Sequence, residues 1–251
     1  MSSVLPLSSR SLASIRILGL PVHNVSMEEA LEAMDGFICS RAPRHVVTAD
    51  ASMLALAQED AQLRAIIAQA ALVTPDSAGV LWAAKKIGTP LRGRVSGVEI
   101  VERLCALSPE RGYRLYFLGA APGVAEQAAA RMRARYPGAQ IVGTHDGYFQ
   151  AEENAAIVED IRSCRPDVLC VALGIPKQEK WIAAHREQLG VPVQIGVGGT
   201  FDVLSGNTRR APLLFQKARL EWLWRVLANP RKIHKVLMLP RFVRLVLQSQ
   251  K

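Results

Sequence analysis

Several side chains capable of chemistry stand where apolar runs of this chain stop. Asp76 follows Pro75 at one such end, where a carboxylate can take a proton from a hydroxyl or cap the helix that follows. Thr48 and Asp50 close an earlier run and read either as site residues or as ordinary turn chemistry. Gly174 leads into Pro176-Lys177-Gln178-Glu179, which is either a solvated first helical turn or a polar set facing a ligand. The stretch Gly198-Gly199-Thr200-Phe201-Asp202 follows the next apolar run. Gly119-x-x-x-Gly123 would let backbone N–H groups approach a phosphate, although a tight turn has the same composition. It is neither the Gly-x-Gly-x-x-Gly fingerprint nor a Walker A loop. The chain has no Asp-x-Asp, no His-Glu-x-x-His and no clustered His or Cys, so no metal or cofactor is expected. His145, His185 and His234 are dispersed and receive no role.

The elements that must hold these residues alternate. Strands are expected at 14–18, 45–47, 71–73, 114–118, 140–142, 167–173 and 192–197. Helices are expected at 52–70 with a break near Asp60, and at 79–87, 98–107, 123–136, 152–164 and 176–189. Ser26-Met27-Glu28-Glu29 fits a capping box opening a further helix to about 38. The stretch 88–94 is a Gly- and Pro-rich loop. Such alternation gives an α/β, Rossmann-like fold whose mostly parallel sheet is covered by helices, with ligands bound outside the carboxyl ends of the strands. The polar residues above all fall at those ends.

Charge divides the chain differently. From Arg209 onward there are eleven Lys or Arg against the single acid Glu221, so this segment holds the whole net charge of +9 and the remainder is close to neutral. Trp222, Trp224, Phe215 and Phe242 are interleaved with the cations, and Asn229-Pro230 separates two helices expected at 213–228 and 231–248. Each is too short to span a bilayer. The tail suits either an interfacial helix on an anionic membrane or a terminal helix docked on the core. Domains are accordingly expected at 1–206, an α/β catalytic body, and 207–251, a basic helical appendage. No run approaches the roughly 18 apolar residues of a membrane span, and Cys39, Cys105, Cys164 and Cys170 lack paired spacing, so a cytoplasmic, peripheral protein with reduced thiols is expected.

Seven motifs occur in a fixed order: Thr48-x-Asp50, Pro75-Asp76, Arg94-Val95-x-Gly97, Gly174-x-Pro176-Lys177-Gln178-Glu179-x-Trp181, Gly198-Gly199-Thr200-Phe201-Asp202, Arg210-Ala211-Pro212 and Leu220-Glu221-Trp222-Leu223-x-Arg225. Over nearly the whole chain the set resembles the WecG/TagA/CpsF family of bacterial glycosyltransferases, glycosyltransferase family 26. The resemblance implies an inverting, metal-independent transfer from a UDP-sugar to a polyprenyl-diphosphate-linked saccharide at the inner face of the cell membrane, in cell-surface polysaccharide biosynthesis. The sugar would be of the N-acetylmannosamine type, its uronic acid, or glucose. It places Asp76 as the base, with Thr48, Arg94 and Gln178 beside it. Asp50, Gly119, Gly174, Lys177, Gly199 and Thr200 are expected to bind substrate, with Arg225, Lys232 and Lys235 of the appendage. The family usually has Asn in place of Asp50, Gly in place of Ser77, and Arg at the positions of Lys232 and Lys235. A homo-oligomer is left open. The competing class is an α/β nucleic-acid binder using the basic tail, which leaves the strand-end residues unexplained. A nicotinamide-dependent oxidoreductase would need the missing glycine fingerprint.

Overall fold

The computed structural model describes residues 12–207 and 233–249, the last stretch as backbone alone up to 237. It opens with an antiparallel hairpin, β1 (Ser14–Ile17) and β2 (Leu20–His23), that forms its own two-stranded sheet. The sequence reading had the first strand but not its partner. The expected capping box then starts α1 (Met27–Ser40): Ser26 Oγ accepts the Glu29 N–H, and the Glu29 carboxylate accepts the Ser26 N–H.

The first parallel strands are β3 (Arg44–Ala49) and β4 (Leu72–Pro75), joined through α2 (Ala51–Leu56) and α3 (Ala61–Gln69). The break between the two helices falls at Asp60, whose side chain accepts the Leu63 N–H as the cap of α3. After α4 (Ala78–Lys86) and α5 (Gly97–Arg111) come β5 (Arg114–Gly119), α6 (Val124–Arg135), β6 (Gln140–His145), α7 (Asn154–Ser163), β7 (Val168–Ala172), α8 (Lys177–Leu189) and β8 (Val193–Gly196). A short α9 (Thr200–Leu204) follows, where the sequence predicts no element, and α10 (Ile233–Gln248) ends the described chain.

The six strands lie in the order β4-β3-β8-β7-β5-β6, and every neighbouring pair is parallel. The inner strands carry apolar side chains on both faces because helices cover both. On β7, Val168, Cys170 and Ala172 join the core formed with α5, α6 and α9, while Leu169 and Val171 pack against α7 and α8. On β3, Val46 faces the first core and Val47 and Ala49 face a third cluster containing Leu54, Leu63 and Val80.

The last helix belongs to that third cluster. Phe242 and Val246 are fully buried in it, and Arg241 pairs with Glu59 just past α2. Leu239 lies beside Gly79 in the first turn of α4, and Leu245 shares a groove with Ile87 just past the last turn of α4, so α10 runs parallel to α4. Of the two roles the tail composition allows, its final part takes the docked one. The expected helix at 213–228 lies outside the described residues, as do Arg225 and Lys232, and Lys235 is described only as backbone.

Candidate active site

At neighbouring strands β3 and β8 the chain leaves the sheet toward opposite faces. α2 departs to the third core, α9 to the first. A crevice outside the carboxyl ends is the geometric consequence, and this is where open α/β sheets bind ligands.

Thr48, near the end of β3, is buried, and its hydroxyl donates to the Gly196 carbonyl at the end of β8 across 2.8 Å. Asp50 follows as the cap of α2. Its Oδ1 accepts the Met53 N–H at 2.8 Å and the Ser52 hydroxyl at 2.6 Å, so ordinary turn chemistry describes those bonds.

Asp76 continues β4 by one residue and is half-buried; its N–H donates to the Ala49 carbonyl at 2.9 Å. It does not cap α4. That task falls to Ser77, whose Oγ accepts the Val80 N–H at 3.3 Å and, from the next helix, the Ala51 N–H at 3.2 Å. Of the two roles open to a carboxylate here, helix capping is therefore assigned to its neighbour.

The loop before α5 returns to the same place. Val95 N–H donates to the Pro75 carbonyl at 2.8 Å, which sets Arg94 beside the end of β4. The Arg94 guanidinium is half-buried and 3.3 Å from Glu99 Oε1. Gly97 then begins α5 against Thr48, Val197 and the hydroxyl of Thr200, all within 3.6 Å of where a side chain would start. Thr200 is itself buried and donates to the Val197 carbonyl at 2.7 Å, with Gly199 just ahead of it at the start of α9.

Gln178 is buried on the opposite face of the sheet from Thr48. Its Oε1 accepts the N–H of Gly174 at 3.2 Å and of Gly198 at 3.0 Å. Thus Thr48, Asp50, Asp76, Arg94, Gly174, Gln178, Gly199 and Thr200, named from the sequence, meet at the ends of β3, β4, β7 and β8.

Gly119 and Lys177 stand toward the β5 side of that row. Gly119 has φ of 125°, and a side chain there would begin 2.5 Å from the Ala172 carbonyl, which only glycine avoids. Lys177 is exposed, with Nζ 5.2 Å from the centre of the Phe149 ring. Next to Phe149 is Tyr148, absent from the sequence-derived set, which is 76% exposed at the end of the β6 loop. The signal was its place in a strand-end loop directly after Gly147. Among the described residues no group of three His, Cys, Asp or Glu could hold a metal ion.

A sequence model of the glycosyl transferase WecG/TagA/CpsF family matches residues 15–251. The chain belongs to this family. Two WecG/TagA/CpsF relatives bear the name N-acetylglucosaminyldiphosphoundecaprenol N-acetyl-beta-D-mannosaminyltransferase. The one from Bacillus spizizenii is 34% identical over 206 residues, 82% of this chain and 79% of its own. The one from Staphylococcus aureus (strain NCTC 8325 / PS 47) is 30% identical over 233 residues, 92% of this chain and 91% of its own. Membership makes this chain a glycosyltransferase. Among the described residues no helix is long and apolar enough to cross a membrane.

Proposed function

We propose that the protein transfers a sugar, of the N-acetylmannosamine type its relatives are named for, from a UDP-sugar to a saccharide carried on a polyprenyl diphosphate, with inversion and without a metal. The single observation that carries this reading is the position of Asp76. It directly follows the end of β4, half-buried, with the adjacent helix cap supplied by Ser77. In an inverting displacement a base takes the proton of the acceptor hydroxyl as the sugar carbon is attacked and UDP departs from the other side. Asp76 is the base in this proposal.

The departing diphosphate gathers negative charge, which must be met by donors already in place. Arg94, held beside the end of β4, is one cation suited to that task; the Gly174 and Gly198 N–H groups are already taken by Gln178. Thr48 and Thr200 spend their hydroxyls on carbonyls of the β8 end, so their part is to fix that loop. The exposed Tyr148 ring offers a flat apolar face to the nucleobase, and Lys177 stands over the ring of the next residue, Phe149. The metal-free reading rests on the missing Asp-x-Asp and on the lack of a three-ligand cluster among the described residues.

The appendage, with Arg225, Lys232 and Lys235, completes the proposal as the segment that meets the lipid-linked diphosphate and the anionic membrane surface at the cytoplasmic face. Its charge supports this, as does the placement of Leu239 of α10 beside Gly79, three residues from Asp76. A panel of UDP-sugars offered with a short-chain polyprenyl-diphosphate-linked N-acetylglucosamine tests the reading. Product from UDP-N-acetylmannosamine is expected. Transfer from none of the panel overturns it.

A further inference from the structure

Gln178 is the second residue of α8, and its side chain is buried to 1% exposure. An oxygen placed between the N–H groups of Gly174 and Gly198 cannot be exchanged for the amide nitrogen, which has no acceptor capacity, so the orientation of the group is fixed. Its Nε2 then donates to Glu179 Oε1 at 2.8 Å. Both groups lie over the end of β8: a side chain on Gly196 would begin 2.6 Å from Gln178 Nε2 and 2.7 Å from Glu179 Oε1. The two N–H groups belong to different loops, one after β7 and one after β8.

We propose that Gln178 is a positioning residue: it fastens the β7 loop to the β8 loop and so fixes the place of both turns at the strand ends, and its amide does not touch the substrate. The kinetic part of this inference rests on the transferase reading above; the structural part does not. Thr48 grips the Gly196 carbonyl from the opposite face of the sheet, so the end of β8 is held from both sides. Releasing one side lets the loop move, and a misplacement of about 1 Å in a catalytic arrangement costs roughly 100-fold in rate.

The test uses the full chain and two readouts, amide hydrogen exchange at Gly174 and Gly198 and turnover on the lipid-linked acceptor. Gln178→Met keeps the volume and removes the acceptor. Both amides are expected to lose protection, and kcat to fall roughly 100-fold. The pair Gln178→Glu with Glu179→Gln reverses donor and acceptor while keeping the charge, so protection and most of the turnover are expected to return. Unchanged protection in Gln178→Met overturns the fastening. Restored protection with turnover still as low as in Gln178→Met overturns it too, because the amide then acts on substrate.

If the reversed pair does not fold, the exchange measurement on Gln178→Met decides: lost protection at Gly174 and Gly198 supports the fastening, and unchanged protection overturns it. An unaltered enzyme that transfers no sugar would instead defeat the transferase reading, and the exchange measurement would still decide the role of Gln178.

Discussion

The hydroxyl of Ser77 accepts the backbone N–H of Ala51 at 3.2 Å and so ties the start of α4 to the start of α2. Each of the two residues directly follows a strand-end carboxylate, Asp50 before Ala51 and Asp76 before Ser77. The bond therefore fixes the relative placement of the two acids.

Ser77→Ala removes this tie together with the cap on Val80. A lost cap costs about 1 kcal/mol, and stability to urea is expected to drop by that amount. If Asp76 is the base, kcat drops with it, since the carboxylate loses its fixed neighbour. Retained stability and turnover in the variant would show that the tie does not matter.

Acid should weaken the fold through the buried His45 and the half-buried His23. Burial, with the nearby Arg186 charge second, holds the His45 ring at a pKa of about 3, far below its ordinary 6.5. Burial also lowers that of His23, whose Nδ1 accepts the Val73 N–H and can do so only without a proton there. In the unfolded chain both rings take up protons as the pH falls through about 6.5. The unfolded state thus binds more protons between that value and, for His45, about 3, and stability is lost as pH falls through the window. For His45, whose shift is large, the slope approaches about 1.4 kcal/mol per pH unit. Urea midpoints at pH values of about 7 and 5 should differ, and less so in His45→Leu. Equal midpoints in the unaltered protein would contradict this.

The last helix cannot be removed without cost to the body. Phe242 is fully buried against α2 and α4, and Phe→Ala at such a site costs about 3–5 kcal/mol. Phe242→Ala is expected to lower the unfolding temperature by several degrees, whether or not membranes are present. Loss of liposome binding after deletion of the whole tail would for this reason be ambiguous. Replacing Arg225, Lys232 and Lys235 by Gln separates the two effects: sedimentation with anionic liposomes is expected to fall while the unfolding temperature holds. Unchanged sedimentation would count against the membrane role.

Much of this architecture was legible because burial on both faces writes a continuous apolar run. The run at 167–173 became β7, and Asp60 interrupted the alanine-rich stretch where it caps α3. What was hidden depended on distant partners. β2 is four residues with a proline in it, and only pairing with β1 makes it a strand. α9 carries no helical pattern of its own because Gly-Gly precedes it and it is just five residues long. The amphipathic pattern of 231–248 fits lipid and protein equally, and it was packing on α2 that decided for protein at Phe242 and Val246. At the site, residue types and strand ends were readable. The bonds from Thr48 to Gly196 and from Gln178 to Gly198 were not, since no local pattern records a partner across the sheet.

Whether Asp76 takes the acceptor proton is tested most directly by single-turnover transfer in Asp76→Asn. This variant keeps the size of the side chain and removes its basicity. With UDP-sugar binding and unfolding temperature unchanged, a base role predicts a rate lower by roughly 100-fold or more. A folded Asp76→Asn enzyme that transfers at the rate of the unaltered protein would contradict it.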